Sequence, residues 1–287
     1  MQTRSKAAAF DPYVARDYDE ALYRYDNVAS GVDSLNEIGD EHVDYYKKHG
    51  FLAVQNAFTI KEVQAAIDGL LDIIDGKYPE FEYIHFEKSQ SEVLHELSTK
   101  LRRDVVRKLW NFVEYDSRLK AMASQEMLLS VASKLVGSKT ELFANQALIK
   151  PPNVGREKPW HQDHAFFDLP MGTPIVGCWI ALDKAVAENG CMHVKPGTHS
   201  EGPKVHFKRR DFQICDTHLD LTRDVIVPLN PGGLLFFDGL IHHGTPANRS
   251  SMRRRALQFH YIPEGTPRVT QDERLAVFGS EGKDVTC

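Results

Sequence analysis

The sequence predicts an α+β protein with a mainly β core: a jelly-roll, or double-stranded β-helix, of the cupin-like kind, with N-terminal helices packed on it. Up to Gly137, the longer apolar stretches have helical spacing. After Lys139, short apolar runs alternate with Gly, Pro and Asn, which is typical of an antiparallel sandwich or barrel. Helices come first and strands follow, and this order indicates α+β rather than an alternating α/β fold.

The N-terminal part begins with residues 1–38, which are polar, acidic and rich in tyrosine and show no sustained hydrophobic period. We predict that they form an arm, either flexible or laid over the domain. Residues 41–48 then predict a short helix that Gly50 ends, and the run "FLAVQNAF" at 51–58 predicts a strand.

Thr59 and Glu62 form a capping box, so a helix is expected to start there and to end before Gly76. A further helical block is predicted over 91–136. We therefore expect one domain over 39–287, with a helical part at about 39–137 and the jelly-roll core at about 140–263. The core strands are predicted in the runs "TELFANQALIKPP", "PIVGCWIALD", "CMHVKPG", "DVIVPL", "GGLLFFDG" and "RALQFHYIP".

Composition narrows the function classes. The 287 residues are 42% hydrophobic and 26% charged with a net charge of −5, which argues against general affinity for nucleic acid or anionic membranes. No apolar run approaches the roughly 20 residues of a membrane span. We expect a small-molecule partner; the oligomeric state is not predicted.

Four cysteines lack CxxC spacing, which argues against a cysteine zinc site or a disulfide framework. Together with the weak N-terminal signal they predict a cytoplasmic location, with an organellar presequence as the open alternative.

A His-x-Asp pair, a common chelating unit, occurs three times in the chain. In a strand, residues i and i+2 project to one face and can grip one ion, whereas in a helix they point apart. His42/Asp44 falls in a predicted helix and His218/Asp220 in a charged loop, so both are expected to be solvated. His161/Asp163 lies within the β core and is the favoured pair.

A third ligand is needed, and His242 and His243 both lie where a later strand can return to the same end of the barrel. Arginine follows on the next strand, and a guanidinium binds a carboxylate bidentately. Two histidines and one carboxylate with open positions suit non-haem Fe(II) chemistry.

From about residue 41 to 261 the chain resembles the phytanoyl-CoA dioxygenase family of Fe(II)/2-oxoglutarate oxygenases. The matching motifs stand in family order and are "LIKPP" (148–152), "WHQD" (160–163), Trp179 in "GCWIALD", "ENGCM" (188–192), "PGTH" (196–199), "LIHHGT" (240–245) and Arg254. The family places its arginine eleven positions after the distal histidine, which selects His243 over His242.

The resemblance implies roles for these residues. His161, Asp163 and His243 would hold Fe(II), while Arg254 and Thr245 would bind the distal carboxylate of 2-oxoglutarate beside Trp179. The implied reaction is O₂-dependent hydroxylation with conversion of 2-oxoglutarate to succinate and CO₂, with ascorbate as an optional reductant. An aspartate at 163 favours hydroxylation over halogenation, because halogenating relatives have a small residue there; desaturation or ring rearrangement stays open.

The substrate contacts are a separate expectation. The residues that flank the ligand pair and are expected to contact substrate are Gln162, His164, Phe166 and Phe167. The basic stretch 204–212 raises the hypothesis of a lid over an acidic substrate, against the alternative of a solvated loop. The role of Lys150 is undecided between a contact with the co-substrate and a charge at a strand end.

Two other functions compete with the oxygenase: a catalytically silent jelly-roll binding protein, and a cupin-like metal enzyme that does not use 2-oxoglutarate.

Overall fold

The computed structural model describes residues 9–10, 12, 16–90 and 92–279. The strands are β1 (Ala9–Phe10), β2 (Gly31–Val32), β3 (Phe51–Val54), β4 (Ile84–Phe86), β5 (Val106–Trp110), β6 (Thr140–Lys150), β7 (Lys158–His161), β8 (Val176–Ala181), β9 (Met192–Val194), β10 (His206–Lys208), β11 (Phe212–Ile214), β12 (Val225–Val227), β13 (Leu234–Asp238), β14 (His243–Thr245) and β15 (Arg254–Pro263). The helices are α1 (Asp40–His49), α2 (Ile60–Ile74), α3 (Thr99–Arg102), α4 (Ser117–Ala123), α5 (Glu126–Val136) and α6 (Gln271–Phe278).

Two sheets form the jelly-roll, and its antiparallel core confirms the predicted fold class. The larger has the order β1-β4-β5-β6-β15-β8-β13-β3-β2 and the smaller the order β12-β9-β14-β7, while β10 and β11 form a separate hairpin. None of the helices within the described ranges is long and apolar enough to cross a membrane.

The larger sheet divides the core by strand alternation. On β15, Leu257, Phe259 and Tyr261 pack toward the helices, so Gln258 and His260 point to the opposite face, into the space between the sheets. Trp179 on β8 lies among the buried residues of that second face. The sheet thus carries apolar packing on one face, and on the other it combines apolar side chains with the polar groups of β15.

Three helices follow the sequence prediction. Gly50 caps α1 in the left-handed conformation, as Gly137 caps α5. At the start of α2, Glu62 donates its backbone N–H to Thr59 Oγ1 at 3.3 Å, and its carboxylate accepts from the Thr59 N–H at 2.7 Å. The predicted capping box is therefore present.

The helical block predicted over 91–136 is wrong in its middle, because Val106–Trp110 form strand β5. β5 pairs with β4 on one side and with β6 on the other, where Lys108 lies opposite Leu148. Pairing with a partner 40 positions later overrides the local helical pattern. As a result, β4 and β5 extend the larger sheet beyond the predicted core.

Residues 18–29 of the predicted arm lie over the smaller sheet, whereas β1 and β2 form the two edges of the larger sheet. The Trp160 indole donates to the Leu22 carbonyl at 3.0 Å, and the buried Tyr23 hydroxyl donates to Glu157 at 2.8 Å. The rings of Tyr23 and Trp160 stack at 5.4 Å. Of the two predicted states of the arm, packing on the domain holds for these residues; residues 1–8, 11 and 13–15 lie outside the described ranges.

Candidate metal centre

The favoured His-x-Asp pair lies where β7 ends. His161 is the last residue of β7, Gln162 is extended (φ −115°, ψ 131°), and Asp163 opens a short 3-10 turn. Because the backbone stays extended through Gln162, the side chains of His161 and Asp163 reach the same face. His243 opens β14 and is the cross-strand partner of His161.

The three side chains converge. Asp163 Oδ1 is 3.3 Å from His161 Nε2 and 3.5 Å from His243 Nε2, and all three residues are buried. Within the described ranges, this is the one group of three His, Cys, Asp or Glu residues whose donor atoms lie close enough to hold a metal ion, within 4.8 Å of one another. Two imidazoles and one carboxylate on one side of an ion are the ligand set of non-haem iron.

Both imidazoles are held in the tautomer that a metal needs. His161 Nδ1 lies 2.7 Å from the Pro159 carbonyl, and His243 Nδ1 lies 3.1 Å from the Ile241 carbonyl. A carbonyl oxygen can only accept, so each Nδ1 carries the proton and each Nε2 lone pair is free for an ion. Burial lowers the pKa of His161 to about 4, so His161 is neutral at pH 7.

The second oxygen of Asp163 is held from β15. Its Oδ2 accepts hydrogen bonds from Gln258 Nε2 at 2.8 Å and from His260 Nε2 at 2.7 Å. Burial acts to raise the pKa of Asp163, but the surrounding imidazoles of His243 and His260 outweigh burial and hold that pKa well below its usual value. The carboxylate is thus ionised, with Oδ1 left for a metal.

Sequence reasoning missed Gln258 and His260, although a signal was present. If Arg254 faces the site, alternation along a strand turns residues 256, 258 and 260 to the same face.

Arg254 lies in the same cavity and is fully buried. Its guanidinium is 5.3 Å from the Trp179 ring centroid, and no described residue accepts a hydrogen bond from its Nε or Nη1. Burial lowers the pKa of Arg254 to about 9, with the charge of Arg107 acting in the same direction. A buried cation with unused donors is built to receive an anion.

The cavity around these groups has a volume of about 360 Å³ and is lined by Trp179, Thr245 and Phe166 besides the three candidate ligands and Arg254. The neighbouring arginines face elsewhere: Arg253 pairs with Asp104, and Arg255 pairs with Asp183 at 2.7 Å.

His242 points away from the candidate ligands, as expected for a neighbour of His243 on an extended chain. It does not line the cavity, and its backbone N–H donates to Thr198 Oγ1 at 2.9 Å. The other two His-x-Asp pairs stand apart from the site: Asp44 lies on the exposed side of α1, and Asp220 caps a turn by accepting from Thr222.

The four expected substrate residues divide into two pairs. Phe166 and Phe167 line the cavity, whereas Gln162 and His164 do not. Both side chains are buried against other parts of the chain.

Gln162 anchors the loop instead of contacting the cavity. Its amide donates to the Leu240 carbonyl at 2.7 Å and accepts from the Lys204 N–H at 2.7 Å. The His164 ring packs 5.6 Å from Phe278, and its Nε2 lies 3.4 Å from the Leu169 carbonyl.

Lys150 is the last residue of β6, and its side chain does not line the cavity. Its Nζ is fully buried and donates to the carbonyls of Arg156 and Pro246, both at 2.6 Å, and of Thr245 at 3.3 Å. It joins β6 to the loop before β7 and to the end of β14.

The fold and the site together define a class: a jelly-roll oxygenase with a mononuclear, non-haem metal centre of two histidines and one aspartate. The sequence profile of the phytanoyl-CoA dioxygenase (PhyH) family matches residues 46–256. The chain belongs to this family and is an Fe(II)/2-oxoglutarate-dependent oxygenase.

Individual relatives agree with this assignment. A probable phytanoyl-CoA dioxygenase of Caenorhabditis elegans is 29% identical over 245 residues, which cover 80% of this chain and 77% of the relative. EvdO2 from Micromonospora carbonacea var. aurantiaca, solved with 2-oxoglutarate, shares the fold with a TM-score of 0.63 at 21% identity, over 81% of this chain and 94% of that one. The epimerase SnoN, solved with Fe³⁺, alpha ketoglutarate and nogalamycin RO, gives 0.62 at 16% identity, over 81% and 86%.

The site residues fit both cofactors of the family. The two Nε2 atoms and Asp163 Oδ1 form a ligand set for iron, and Arg254 offers unused donors to a carboxylate.

We expect His260→Ala to weaken Fe(II) binding by about 10–100-fold, because partners of ligand residues commonly contribute that much to metal affinity. His260 bonds directly to Asp163 Oδ2. The measurement is the Fe(II) dissociation constant under anaerobic conditions. His260→Gln keeps a donor and is expected to recover part of the loss, and His242→Ala, which does not touch Asp163, serves as the control. Equal affinity in His260→Ala and wild type would contradict the role.

We also expect the metal-free protein to lose stability as the pH falls below 6.5. Burial lowers the pKa of His206 to about 3. Its Nε2 accepts the Gln162 N–H at 2.9 Å, which only the neutral ring can do, and its Nδ1 lies 2.8 Å from the Lys204 carbonyl. The unfolded chain then binds more protons than the folded one, so the free energy of unfolding decreases toward acid.

Urea unfolding between pH 7 and pH 4 measures this slope. In His206→Gln, whose amide oxygen can accept the Gln162 N–H and does not titrate, the slope should become shallower. An unchanged slope in this variant would contradict the assignment.

Proposed function

We propose that this protein hydroxylates a small-molecule metabolite, with conversion of 2-oxoglutarate to succinate and CO₂. The observation that supports this most strongly is one cavity containing the buried His161, Asp163 and His243 cluster together with Arg254, a buried guanidinium with unused donors. The proposal adds the type of reaction, hydroxylation, to the oxygenase class assigned above.

The residues of the site divide into iron ligands and groups that bind 2-oxoglutarate. His161, Asp163 and His243 hold Fe(II) through two Nε2 atoms and one carboxylate oxygen. Arg254 binds the distal carboxylate of 2-oxoglutarate, and the Thr245 hydroxyl, in the same cavity, donates to it. When bound, the iron and 2-oxoglutarate supply the oxidising chemistry, with O₂ as the oxidant. Ascorbate as a reductant stays a prediction from the sequence.

The chain itself orients the groups and excludes water. Gln258 and His260 fix the Asp163 carboxylate, and Trp179 covers one side of the Arg254 guanidinium. Phe166 and Phe167 line the cavity and are proposed to contact the substrate. The apolar Trp179 ring lowers the local dielectric constant beside Arg254, and this strengthens the pairing of Arg254 with a carboxylate.

The proposal is tested by supplying purified protein with Fe(II), 2-oxoglutarate and O₂ and measuring succinate, then profiling metabolites of a host extract. Hydroxylation predicts a product that has gained one oxygen atom. A product that has lost two hydrogens, or an isomer of unchanged mass of the kind an epimerase forms, would overturn hydroxylation but keep the oxygenase class. Absence of succinate under all conditions would contradict the use of 2-oxoglutarate. The cytoplasmic location stays a prediction.

A further inference from the structure

A buried lysine joins the two sheets of the jelly-roll at one end of the cavity. Lys150 is the last residue of β6, in the larger sheet. Its Nζ donates to the carbonyl of Arg156, in the loop before β7, and to the carbonyls of Thr245 and Pro246, at the end of β14. Since β7 and β14 belong to the smaller sheet, this side chain links one sheet to the other.

All the hydrogen-bonding capacity of this lysine is used within the protein. The bonds to the Arg156 and Pro246 carbonyls are both 2.6 Å long, and the bond to the Thr245 carbonyl is 3.3 Å long. Burial lowers the pKa of Lys150 well below its usual value, with the charge of Arg254 acting in the same direction. Three carbonyl oxygens can only accept, however, and only the protonated ammonium has three N–H donors for them. Lys150 can therefore act on a bound molecule only through the backbone that it holds.

The link lies directly beside the residues proposed to bind 2-oxoglutarate. Lys150 is the cross-strand partner of Arg254 on β15, and cross-strand partners project their side chains to the same face of a sheet. Leu148, two positions earlier and therefore on that face, lines the cavity as Arg254 does. Thr245, whose hydroxyl is proposed to donate to the distal carboxylate, provides one of the three carbonyls. The two sheets are thus joined at the end of the cavity where that carboxylate is proposed to bind.

The two ends of the co-substrate are held from different sheets. His161 and His243 lie on β7 and β14 of the smaller sheet, and Asp163 follows β7, whereas Arg254 belongs to the larger sheet. A 2-oxo diacid has a fixed number of methylene groups between its keto acid end and its distal carboxylate. The length of diacid that fits therefore depends on how far apart the two sheets are held at this end.

We propose that Lys150 is a positioning residue that makes the site selective for 2-oxoglutarate over longer 2-oxo diacids, by fixing the smaller sheet relative to Arg254. The inference rests on the proposed function and adds to it the residue that sets the length of the co-substrate. Without the lysine, the end of β14 and the loop before β7 lose three hydrogen bonds to β6 and can shift relative to Arg254.

The experiment compares 2-oxoglutarate with 2-oxoadipate, which is one methylene longer, in calorimetric titrations of anaerobic protein loaded with Fe(II). Wild type is expected to prefer 2-oxoglutarate by about 10-fold or more, because pockets commonly discriminate one methylene by about 10–200-fold. Lys150→Met should still bind Fe(II) but lose most of this preference, since discrimination of that size depends on a fixed pocket length. Lys195→Met is the matched control. It removes another fully buried lysine, whose Nζ lies 4.0 Å from the centroid of the Trp160 ring, and should keep the preference.

A second variant disturbs the link without removing the lysine. Gly190 has a left-handed backbone (φ 79°), and a Cβ there would collide with the Pro246 carbonyl oxygen and lie 3.1 Å from Lys150 Cδ. Gly190→Ala should therefore displace an acceptor of Lys150 and reduce the preference in the same direction. Gly137→Ala controls for backbone strain, because Gly137 is also left-handed (φ 86°) but a Cβ there meets no described atom within 4 Å. Its preference should equal that of wild type.

The outcomes separate this inference from the proposed function. If wild type binds 2-oxoglutarate but binds 2-oxoadipate as tightly, the inference is overturned. A full preference in folded Lys150→Met, or an equal loss in Lys195→Met, also overturns it. If Lys150→Met does not fold, Gly190→Ala decides, since a preference as large as that of Gly137→Ala counts against the inference. Failure of wild type to bind 2-oxoglutarate would instead overturn the proposed function.

Discussion

Asp163→Ala is expected to lower Fe(II) affinity by more than about 100-fold, beyond the 10–100-fold typical of residues that merely support a ligand, and to abolish succinate formation. Asp163 supplies the carboxylate oxygen that lies within 3.5 Å of both histidine Nε2 atoms. The measurement is iron stoichiometry after anaerobic loading, together with 2-oxoglutarate turnover.

The chain contains its own controls for this variant. Asp44→Ala and Asp220→Ala remove the aspartate from the other two His-x-Asp pairs, on a helix surface and in a turn, and should leave iron binding unchanged. Circular dichroism checks that Asp163→Ala is folded, because the donors of Gln258 and His260 lose their acceptor at a cost of about 1–3 kcal/mol. Full iron loading of folded Asp163→Ala would contradict the assignment.

Arg254→Met is expected to weaken 2-oxoglutarate binding by about 100-fold or more, since two charge-assisted hydrogen bonds to one carboxylate are lost. Iron binding should persist, because Arg254 is not a ligand. The metal-free variant should also be more stable than wild type, since an unpaired buried charge is replaced by an apolar side chain. Calorimetric titration of 2-oxoglutarate and thermal unfolding measure the two effects.

Arg253→Met is the matched control for Arg254→Met. Arg253 is the adjacent arginine, partly exposed and paired with Asp104, so its loss should cost at most about 1 kcal/mol of stability and leave 2-oxoglutarate affinity unchanged. Arg254→Lys keeps the charge without the planar fork and should give an intermediate affinity. Similar losses in Arg253→Met and Arg254→Met would show that Arg254 is not the specific partner.

The metal cluster was predictable because its chemistry is local in the strand. His161 and Asp163 are two positions apart on extended backbone, and the family spacing from Arg254 selected His243. The same alternation along β15 would have found Gln258 and His260. The positions of His161, Asp163, Gln258 and His260 follow from strand alternation, which can be read directly from the sequence.

The missed features depend on contacts between distant segments. Gln162 was expected to face substrate, but its amide is held by the carbonyl of Leu240, 78 positions later. Lys158 and Asp211 are 53 positions apart and meet only because the β10–β11 hairpin folds against β7. β5 likewise becomes a strand only by pairing with its neighbours. No local pattern encodes such pairings.

The most direct test of the account is an anaerobic titration of 2-oxoglutarate into the protein with and without Fe(II). We expect one 2-oxoglutarate to bind per chain, tightly only when Fe(II) is present, because the co-substrate is held by both the metal and Arg254. Binding of 2-oxoglutarate with equal affinity in the absence of Fe(II), or no binding in its presence, would contradict the claim that His161, Asp163, His243 and Arg254 form one iron and 2-oxoglutarate site.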